Sequence, residues 1–354
     1  MPTVKARPHP QSTADRTPPA EVLIVDDSIV ARSVIGRLVE GNPRCRVAGA
    51  VPDAASALAF LRTRRVDLVL LDIEMPGRNG LAALPDLVAE SDGAKVLVVS
   101  SSCEDGAAST VQALALGAAD TLVKPGAGTL AGRFADELDE RLTRLLEPAP
   151  RLPLRVQPAP AVQTGAVDIV AIGASTGGIH ALGQVLRALP AEMTAPILVT
   201  QHLPASFMPY FAAQLALLAG RPCEVGDDRV RIRPSRIVIA PGHAHLRVVR
   251  ITDGAAIRLS TRPVASGCLP SVDPMFESVA EVYGRGALGV VLSGMGRDGS
   301  VGAERLVAAG GRVVVQDRES STVWGMPGCV AAAGHASAVL PPDAIGTLIA
   351  RGTA

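Results

Sequence analysis

Short apolar runs alternate with amphipathic segments along most of the chain. In the first half, each run is five or six residues long and is followed by a segment with helical periodicity. The runs are residues 21–25, 45–50, 67–72, 95–100 and 120–124. Continuous apolar runs are typical of parallel strands that helices cover on both faces. The pattern therefore predicts a doubly wound α/β domain over residues 21–146.

The same alternation returns in the second half of the chain. Apolar runs at residues 169–172, 196–202, 236–242, 286–295 and 312–316 predict another parallel sheet. Two further runs around Asp253-Gly254 predict a β-hairpin. We therefore expect a second doubly wound, Rossmann-like domain with three layers over residues 168–350.

The remaining segments show neither the continuous apolar runs of buried strands nor the periodicity of helices. Residues 147–167 hold five prolines between positions 148 and 160, which predicts a proline-rich linker between the two domains. Residues 1–20 contain charges, prolines and hydroxyl residues without an apolar core, so we expect a disordered leader rather than a signal peptide.

Composition narrows the possible roles. Of 354 residues, 48% are hydrophobic but only 2% are aromatic, and 34 basic residues balance 34 acidic ones. The balance argues against nucleic-acid binding, and no apolar run approaches the length of a membrane span. The five cysteines form no CxxC pair, so we expect reduced thiols in a cytoplasmic protein. Among them, Cys268 lies in a loop rich in glycine and proline, and nothing around it marks a nucleophile.

Polar residues end four strands of the first domain. They are Asp26 and Asp27, Asp72, Ser100 and Lys124. The carboxyl ends of parallel strands share one edge of a sheet, so these side chains should converge. Three crowded carboxylates require a cation, and oxygen ligands favour Mg²⁺. The set suits formation of an aspartyl phosphate, although each acid taken alone could simply cap the following helix.

Residues 21–146 resemble the receiver domain of two-component signalling proteins. The resemblance rests on residues 25–28, residues 72–80 and the Lys-Pro pair at 124–125, with Asn79 where the family usually has aspartate. It implies that Asp72 accepts the phosphoryl group and that Asp26, Asp27 and Asp72 hold Mg²⁺. It also implies that Ser100 and Lys124 are the switch residues.

The second domain opens with a strand, a turn of small residues and a helix. The turn, residues 173–178, places Ser175 in the Gly-x-Ser-x-Gly spacing of serine hydrolases. Glycine-rich turns in this setting also bind dinucleotides, although the Gly-x-Gly-x-x-Gly spacing is absent. The turn alone leaves both interpretations open.

A nucleophilic serine needs a base and an acid that orients it. His202 ends the strand that should lie beside the Ser175 strand, and Asp298 follows another strand. Asp298 could also cap the next helix, and the two roles are compatible. We expect His180 to be solvated, and His243 and His245 are possible substrate contacts.

The second domain carries six short motifs, at residues 173–178, 201–202, 240–242, 270–273, 294–299 and 325–327. With these motifs, and together with the receiver-like first domain, it resembles the CheB family, the protein-glutamate methylesterases of bacterial chemotaxis. The resemblance implies Ser175 as nucleophile, His202 as base and Asp298 as the orienting acid. It also implies an oxyanion hole around the Met295 N–H with the Thr176 region beside it. Cys268-Leu269 replaces a more basic pair in the family, which could alter substrate contacts.

The resemblance implies a phosphorylation-activated hydrolase that demethylates, and by the same site deamidates, glutamyl side chains of chemoreceptors. Mg²⁺ would serve receiver phosphorylation, and ester hydrolysis would need no cofactor. Implied partners are methylated chemoreceptors, approached peripherally, and a histidine kinase as phosphodonor. We expect the unphosphorylated receiver to cover the Ser175 cleft. A catalytically idle interaction module remains the alternative.

Overall fold

The computed structural model describes residues 18–101, 106–124, 131–147 and 166–353. Most of the predicted leader and almost all of the predicted linker lie outside these ranges. The described residues form two α/β units, which confirms the predicted fold class.

The first unit is a five-stranded parallel sheet in the order β2-β1-β3-β4-β5, with helices between the strands. Ser28 is the N-cap of the first helix, and its hydroxyl accepts the Ala31 N–H at 3.2 Å. The elements are β1 (Ala20–Val25), α1 (Ile29–Gly41), β2 (Cys45–Val51), α2 (Ala54–Leu61), β3 (Leu68–Asp72), α3 (Gly80–Glu90), β4 (Lys95–Ser101), α4 (Gly106–Ala115), β5 (Asp120–Lys124) and α5 (Ala131–Leu146).

The second unit is built on a seven-stranded parallel sheet in the order β14-β13-β12-β6-β7-β9-β8. The predicted hairpin is present as the antiparallel pair β10 and β11. Its elements are β6 (Ile169–Ala174), α6 (Gly178–Arg187), β7 (Ile197–Gln201), α7 (Met208–Ala219), β8 (Cys223–Val225), β9 (Ile237–Ile239), β10 (His245–Ile251), β11 (Gly254–Ser260), α8 (Val272–Tyr283), β12 (Ala287–Val291), α9 (Ser300–Ala308), β13 (Arg312–Gln316), α10 (Met326–Ala332), β14 (Ala338–Leu340) and α11 (Pro342–Gly352).

The strand order places β6 between β12 and β7. All five residues of β7 and β12 and all six of β6 are buried, as the continuous apolar runs required. The three strands run parallel, so the segments that follow them meet at one edge. Those segments carry Ser175, His202 and Asp298.

Helix α4 connects the two units. It packs against α6, α7 and the short 3₁₀ turn at Ala205–Phe207. The apolar core on this side is continuous from the first sheet into the second. His180 lies in this contact, where its Nδ1 is 3.0 Å from the Ala115 carbonyl oxygen. The expectation of a solvated His180 was therefore wrong, because the sequence does not reveal which helix face meets the other domain.

Among the described helices, none is both long enough and apolar enough to span a bilayer.

Candidate functional site

Ser175 lies on the turn between β6 and α6. Gly177 adopts a left-handed conformation there (φ 74°) and is the N-cap of α6. A side chain at that position would also bring its Cβ within 2.3 Å of the Thr322 hydroxyl. The turn can reverse this tightly only because glycine tolerates both constraints, and the reversal holds Ser175 at the sheet edge.

A second backbone segment supports the turn. The Ser175 N–H donates to the Ser293 carbonyl at 3.0 Å. Gly294 follows, and a Cβ there would lie 2.8 Å from the Ser175 Cβ and 2.4 Å from the Met326 sulfur. The absence of a side chain at Gly294 therefore allows the segment after β12 to pass directly beside the nucleophile candidate.

His202 follows β7 and reaches Ser175 and Asp298 from opposite sides of its ring. Its Nδ1 lies 3.1 Å from the Ser175 Oγ, and its Nε2 lies 2.8 Å from the Asp298 Oδ2. A neutral imidazole that keeps its proton on Nε2 donates to Asp298 and accepts the serine proton at Nδ1. The three residue types are thus in the order that a nucleophile, a base and an orienting acid require.

Asp298 is almost completely buried, with 1% of its side chain exposed. Its Oδ1 accepts the Ser271 hydroxyl at 2.6 Å, and its Oδ2 accepts the Val272 N–H at 2.7 Å as well as the His202 ring. The N-cap of α9 is Gly299, so the alternative capping role of Asp298 was wrong. The carboxylate instead faces back across the sheet edge toward the histidine.

These contacts shift the ionisation of the pair in opposite directions. Burial lowers the pKa of His202, but the hydrogen bonds and charges of Asp298 and Cys268 outweigh it and raise the pKa from 6.5 to about 9. Burial would raise the pKa of Asp298, but its hydrogen bonds from His202, Ser271 and Val272 hold that pKa well below its usual range. The structure therefore favours a protonated His202 beside an ionised Asp298.

The residues predicted for the oxyanion hole, Met295 and Thr176, adjoin Gly294 and Ser175 in the chain. Among the described residues, no protein acceptor pairs with the Met295 N–H, and Met295 is 40% exposed and lines a cleft. Thr176 immediately precedes the left-handed Gly177, and its carbonyl accepts the Ser293 hydroxyl at 2.8 Å. An N–H without a protein acceptor, one residue beyond the Gly294 that lies against Ser175, is a candidate donor to a tetrahedral oxyanion.

Sequence reasoning missed the residues that support Asp298. Ser271 is fully buried, and its N–H donates to the Nδ1 of His245 at 2.9 Å. The other ring nitrogen of His245 is 3.0 Å from the Arg262 carbonyl oxygen. His245 therefore positions Ser271 from inside the protein, with only 2% of the residue exposed, which argues against the suggested substrate contact. The Pro-Ser-Val-Asp motif at 270–273 was the available signal.

Cys268 also lies at the site. Three atoms able to bind a metal, one from each of His202, Cys268 and Asp298, lie within 4.8 Å of one another. Cys268 and Asp298 line the same cleft of about 790 Å³, which Met295 also borders. The position of Cys268 in the sequence gave no indication that it lies at the site, because the contact depends on how the 261–271 segment folds over the sheet edge.

A separate polar cluster lies at the carboxyl edge of the first sheet. Carboxylate oxygens of Asp26, Asp27 and Asp72 come within 4.8 Å of one another. Asp26 and Asp72 are buried, whereas Asp27 is exposed. The Lys124 ammonium bridges the two buried acids, at 2.7 Å from Asp26 and 2.8 Å from Asp72. The predicted convergence of strand ends is thus present for these four residues.

Burial and the lysine act against each other in this cluster. Burial raises the pKa of Asp72 above its ordinary value, although the Lys124 ammonium opposes the rise. Burial lowers the pKa of Lys124, but both carboxylates outweigh it and raise that pKa. Ser100 is half-buried near the end of neighbouring β4, where it pairs in register with Val123. The cluster is acidic with one resident cation, and its oxygen-only ligands fit a hard divalent metal.

Comparison with known protein families identifies both units. Residues 170–349 match the model of the CheB methylesterase, and residues 22–131 match that of the response regulator receiver domain. The two matches coincide with the two sheets and with the two polar sites described above.

Whole-chain relatives carry both units. A protein-glutamate methylesterase/protein-glutamine glutaminase of Nitrobacter hamburgensis is 38% identical over 361 residues, which span 95% of this chain and 94% of the relative. A second such enzyme, from Caulobacter vibrioides, is 40% identical over 339 residues, which span 93% and 97%. The crystal structure of the Thermotoga maritima CheB methylesterase catalytic domain matches 52% of this chain and 98% of its own, with 33% identity and a TM-score of 0.51.

Proposed function

The chain belongs to the CheB methylesterase family, and from that premise we propose that it hydrolyses glutamyl methyl esters of chemoreceptors with Ser175, His202 and Asp298. The observation that carries the assignment of residues is the unbroken hydrogen-bond chain from the Ser175 hydroxyl through His202 to the buried Asp298. Family membership indicates the reaction, protein-glutamate methyl ester hydrolysis in chemotactic adaptation, and the geometry supports the roles proposed for the three residues.

Acylation begins when His202 in its neutral form takes the Ser175 proton at Nδ1. The serine oxygen then attacks the ester carbonyl, and the oxyanion accepts hydrogen bonds from the Met295 N–H and the Thr176 region. The protonated ring is stabilised by the Asp298 carboxylate on its other side. As the carbon–oxygen bond breaks, Nδ1 returns the proton to the departing oxygen and methanol leaves.

Deacylation repeats the sequence with water. His202 removes a proton from a water molecule, the resulting hydroxide attacks the acyl-serine, and the ring proton returns to Ser175. The product is a free glutamate side chain. An amide passes through the same tetrahedral intermediate, so the same residues would deamidate a receptor glutamine and release ammonia.

The receiver unit is proposed to control this reaction through phosphorylation of Asp72 by a histidine kinase. The oxygen ligands of Asp26, Asp27 and Asp72 fit Mg²⁺, which would offset the charge of the incoming phosphoryl group. Lys124, already in contact with Asp26 and Asp72, is placed to hold a phosphoryl oxygen on Asp72. Ser100 is proposed as the second switch residue.

Gating would operate through the contact between α4 and the catalytic unit. Helix α4 packs on α6, which begins three residues after Ser175, and on the 3₁₀ turn that begins three residues after His202. Lys95 of the receiver unit and Glu147, the first residue of the predicted linker, also line the cleft that Met295 and Asp298 border. We propose that this arrangement restricts access for a receptor helix until phosphorylation weakens it.

The cellular setting follows from the proposed partners. Methylated receptors and the kinase would meet this protein in the cytoplasm, by peripheral docking. The four cysteines that the structure describes are free thiols, in keeping with a reducing compartment.

Methanol release from methylated receptor membranes tests the proposal. Wild type, Ser175→Ala and Asp72→Ala are compared with and without a small phosphodonor in the presence of Mg²⁺. We expect release to require Ser175 and to be stimulated by the donor only when Asp72 is present. Full release by Ser175→Ala would contradict the assignment of the nucleophile, and donor stimulation of Asp72→Ala would contradict the phosphorylation site.

A further inference from the structure

The cleft beside the histidine contains a thiol that the proposed reaction does not use. Cys268, His202 and Asp298 offer a sulfur, an imidazole nitrogen and a carboxylate oxygen, with ligand atoms within 4.8 Å of one another. A nitrogen, sulfur and oxygen set of this size is the ligand type and spacing that Zn²⁺ accepts. We propose that Zn²⁺ binds these three residues and reversibly inhibits the esterase. The inhibition, though not the binding, rests on the proposed function.

The surroundings of the three ligands favour a cation. Asp298 accepts hydrogen bonds from the Ser271 hydroxyl and the Val272 N–H, which favour its ionised form and so put one negative charge in place. Loss of the Cys268 proton to solvent on binding would supply a second. Two negative ligands and a neutral imidazole balance the charge of Zn²⁺ in a site from which water is partly excluded. The open cleft, lined by both Cys268 and Asp298, gives the metal a path and leaves a fourth position for water.

Asp298 also receives the additional hydrogen bonds that orient a carboxylate bound to a metal. Metal-bound carboxylates are usually held by further hydrogen bonds, which fix their direction. Here the Ser271 hydroxyl and the Val272 N–H hold the carboxylate independently of the histidine. Asp298 would therefore remain in position when the metal replaces the proton between it and the ring.

Inhibition follows from the ring geometry. The Nε2 of His202 faces Asp298, so a metal shared with the carboxylate occupies Nε2. The neutral ring must then carry its proton on Nδ1, the nitrogen that faces the Ser175 hydroxyl at 3.1 Å. With Nδ1 already protonated, the ring cannot take the serine proton, and acylation stops. Chelation of the metal restores the original tautomer.

The test measures binding and inhibition separately on the intact two-domain chain. Excess Mg²⁺ occupies the acidic cluster of the receiver unit, and Zn²⁺ affinity is measured by competition with a chromophoric chelator. The variants are Cys268→Ser and, as a matched control, Cys329→Ser, which removes a free thiol that lines the same cleft. We expect one Zn²⁺ per wild-type and Cys329→Ser chain, and affinity at least about tenfold weaker for Cys268→Ser.

Two further measurements complete the design. Co²⁺ in place of Zn²⁺ should give a sulfur-to-metal charge-transfer absorption in wild type that Cys268→Ser lacks. Micromolar Zn²⁺ should abolish methanol release by wild type, with recovery on chelation, while Cys268→Ser, compared with its own rate without metal, should need at least about tenfold more Zn²⁺ for the same inhibition. Equal Zn²⁺ affinity in wild type and Cys268→Ser would overturn the proposal. Thiol-dependent binding without any methanol release would leave the metal site standing and would instead count against the proposed function.

Discussion

Replacement of Asp298 by asparagine isolates the effect of its charge. The Oδ2 accepts the Val272 N–H, a backbone donor that cannot reverse, as well as the His202 ring, whereas the Oδ1 accepts a Ser271 hydroxyl that can rotate. An asparagine therefore fits with its oxygen at the Oδ2 position and its NH₂ toward Ser271. The fold and the His202 tautomer are retained, and only the negative charge is lost.

The size of the expected rate loss follows from the distance between His202 and Asp298. With Nε2 and Oδ2 at 2.8 Å, the centres of the ring and carboxylate charges lie about 4 Å apart, and their attraction at an effective dielectric constant of 20 is about 4 kcal/mol. Loss of that attraction in the transition state slows the reaction by roughly 10³-fold. The same charge helps to raise the pKa of His202 to about 9, so at pH 7 only roughly one wild-type molecule in a hundred holds the neutral base.

Below pH 9, loss of the Asp298 charge weakens stabilisation of the transition state but increases the fraction of His202 that is neutral, and these two effects on the rate oppose each other. In Asp298→Asn the pKa of His202 falls, and the base is neutral at pH 7. The variant should therefore lose only about tenfold in kcat/KM at pH 7 but about 10³-fold at pH 10. Wild-type activity should rise with pH through the pKa of His202, whereas the variant should reach its plateau at lower pH.

The assay is initial methanol release from methylated receptor membranes between pH 6 and 10. Rates for Ser175→Ala are subtracted at each pH, because methyl esters hydrolyse spontaneously in base. Thermal unfolding of Asp298→Asn serves as the control for folding, and Asp298→Ala should be clearly less stable because it leaves buried donors unpaired. The same fold loss at pH 7 and pH 10 would refute the reasoning.

Three other substitutions test separate contacts. Gly294→Ala should reduce methanol release at least about tenfold and lower stability by about 1–3 kcal/mol, because its methyl group meets Ser175; unchanged kinetics would contradict the close approach. Lys124→Met should keep basal activity, lose donor stimulation and lower the free energy of unfolding by about 3 kcal/mol at pH 7, measured in urea. His180→Ala removes the hydrogen bond to Ala115, worth about 0.5–1.5 kcal/mol, and should raise release without donor by about 2- to 10-fold; no change would count against gating through α4.

Much of the fold was predictable because buried strands have a residue pattern that can be recognised in the sequence. A strand covered on both faces must be apolar throughout, so β6, β7 and β12 are visible in the sequence as continuous apolar runs. The elements α7, β8, α10, β14 and α11 were not among the predicted ones. The two strands of that set have three residues each, too few for a periodic pattern to form.

The sequence by itself determined the two sheets and the residue types at their carboxyl edges, because in a parallel sheet the end of each strand fixes where its next residue lies. That rule brought Ser175, His202 and Asp298 together, and likewise Asp26, Asp72 and Lys124. Only the tertiary structure decided the contacts of segments with no such rule. The loop carrying Cys268 and Ser271 folds over the edge, and α4 packs on α6 at His180. These contacts join residues distant in the chain through irregular backbone, whose path depends on packing rather than on any local period.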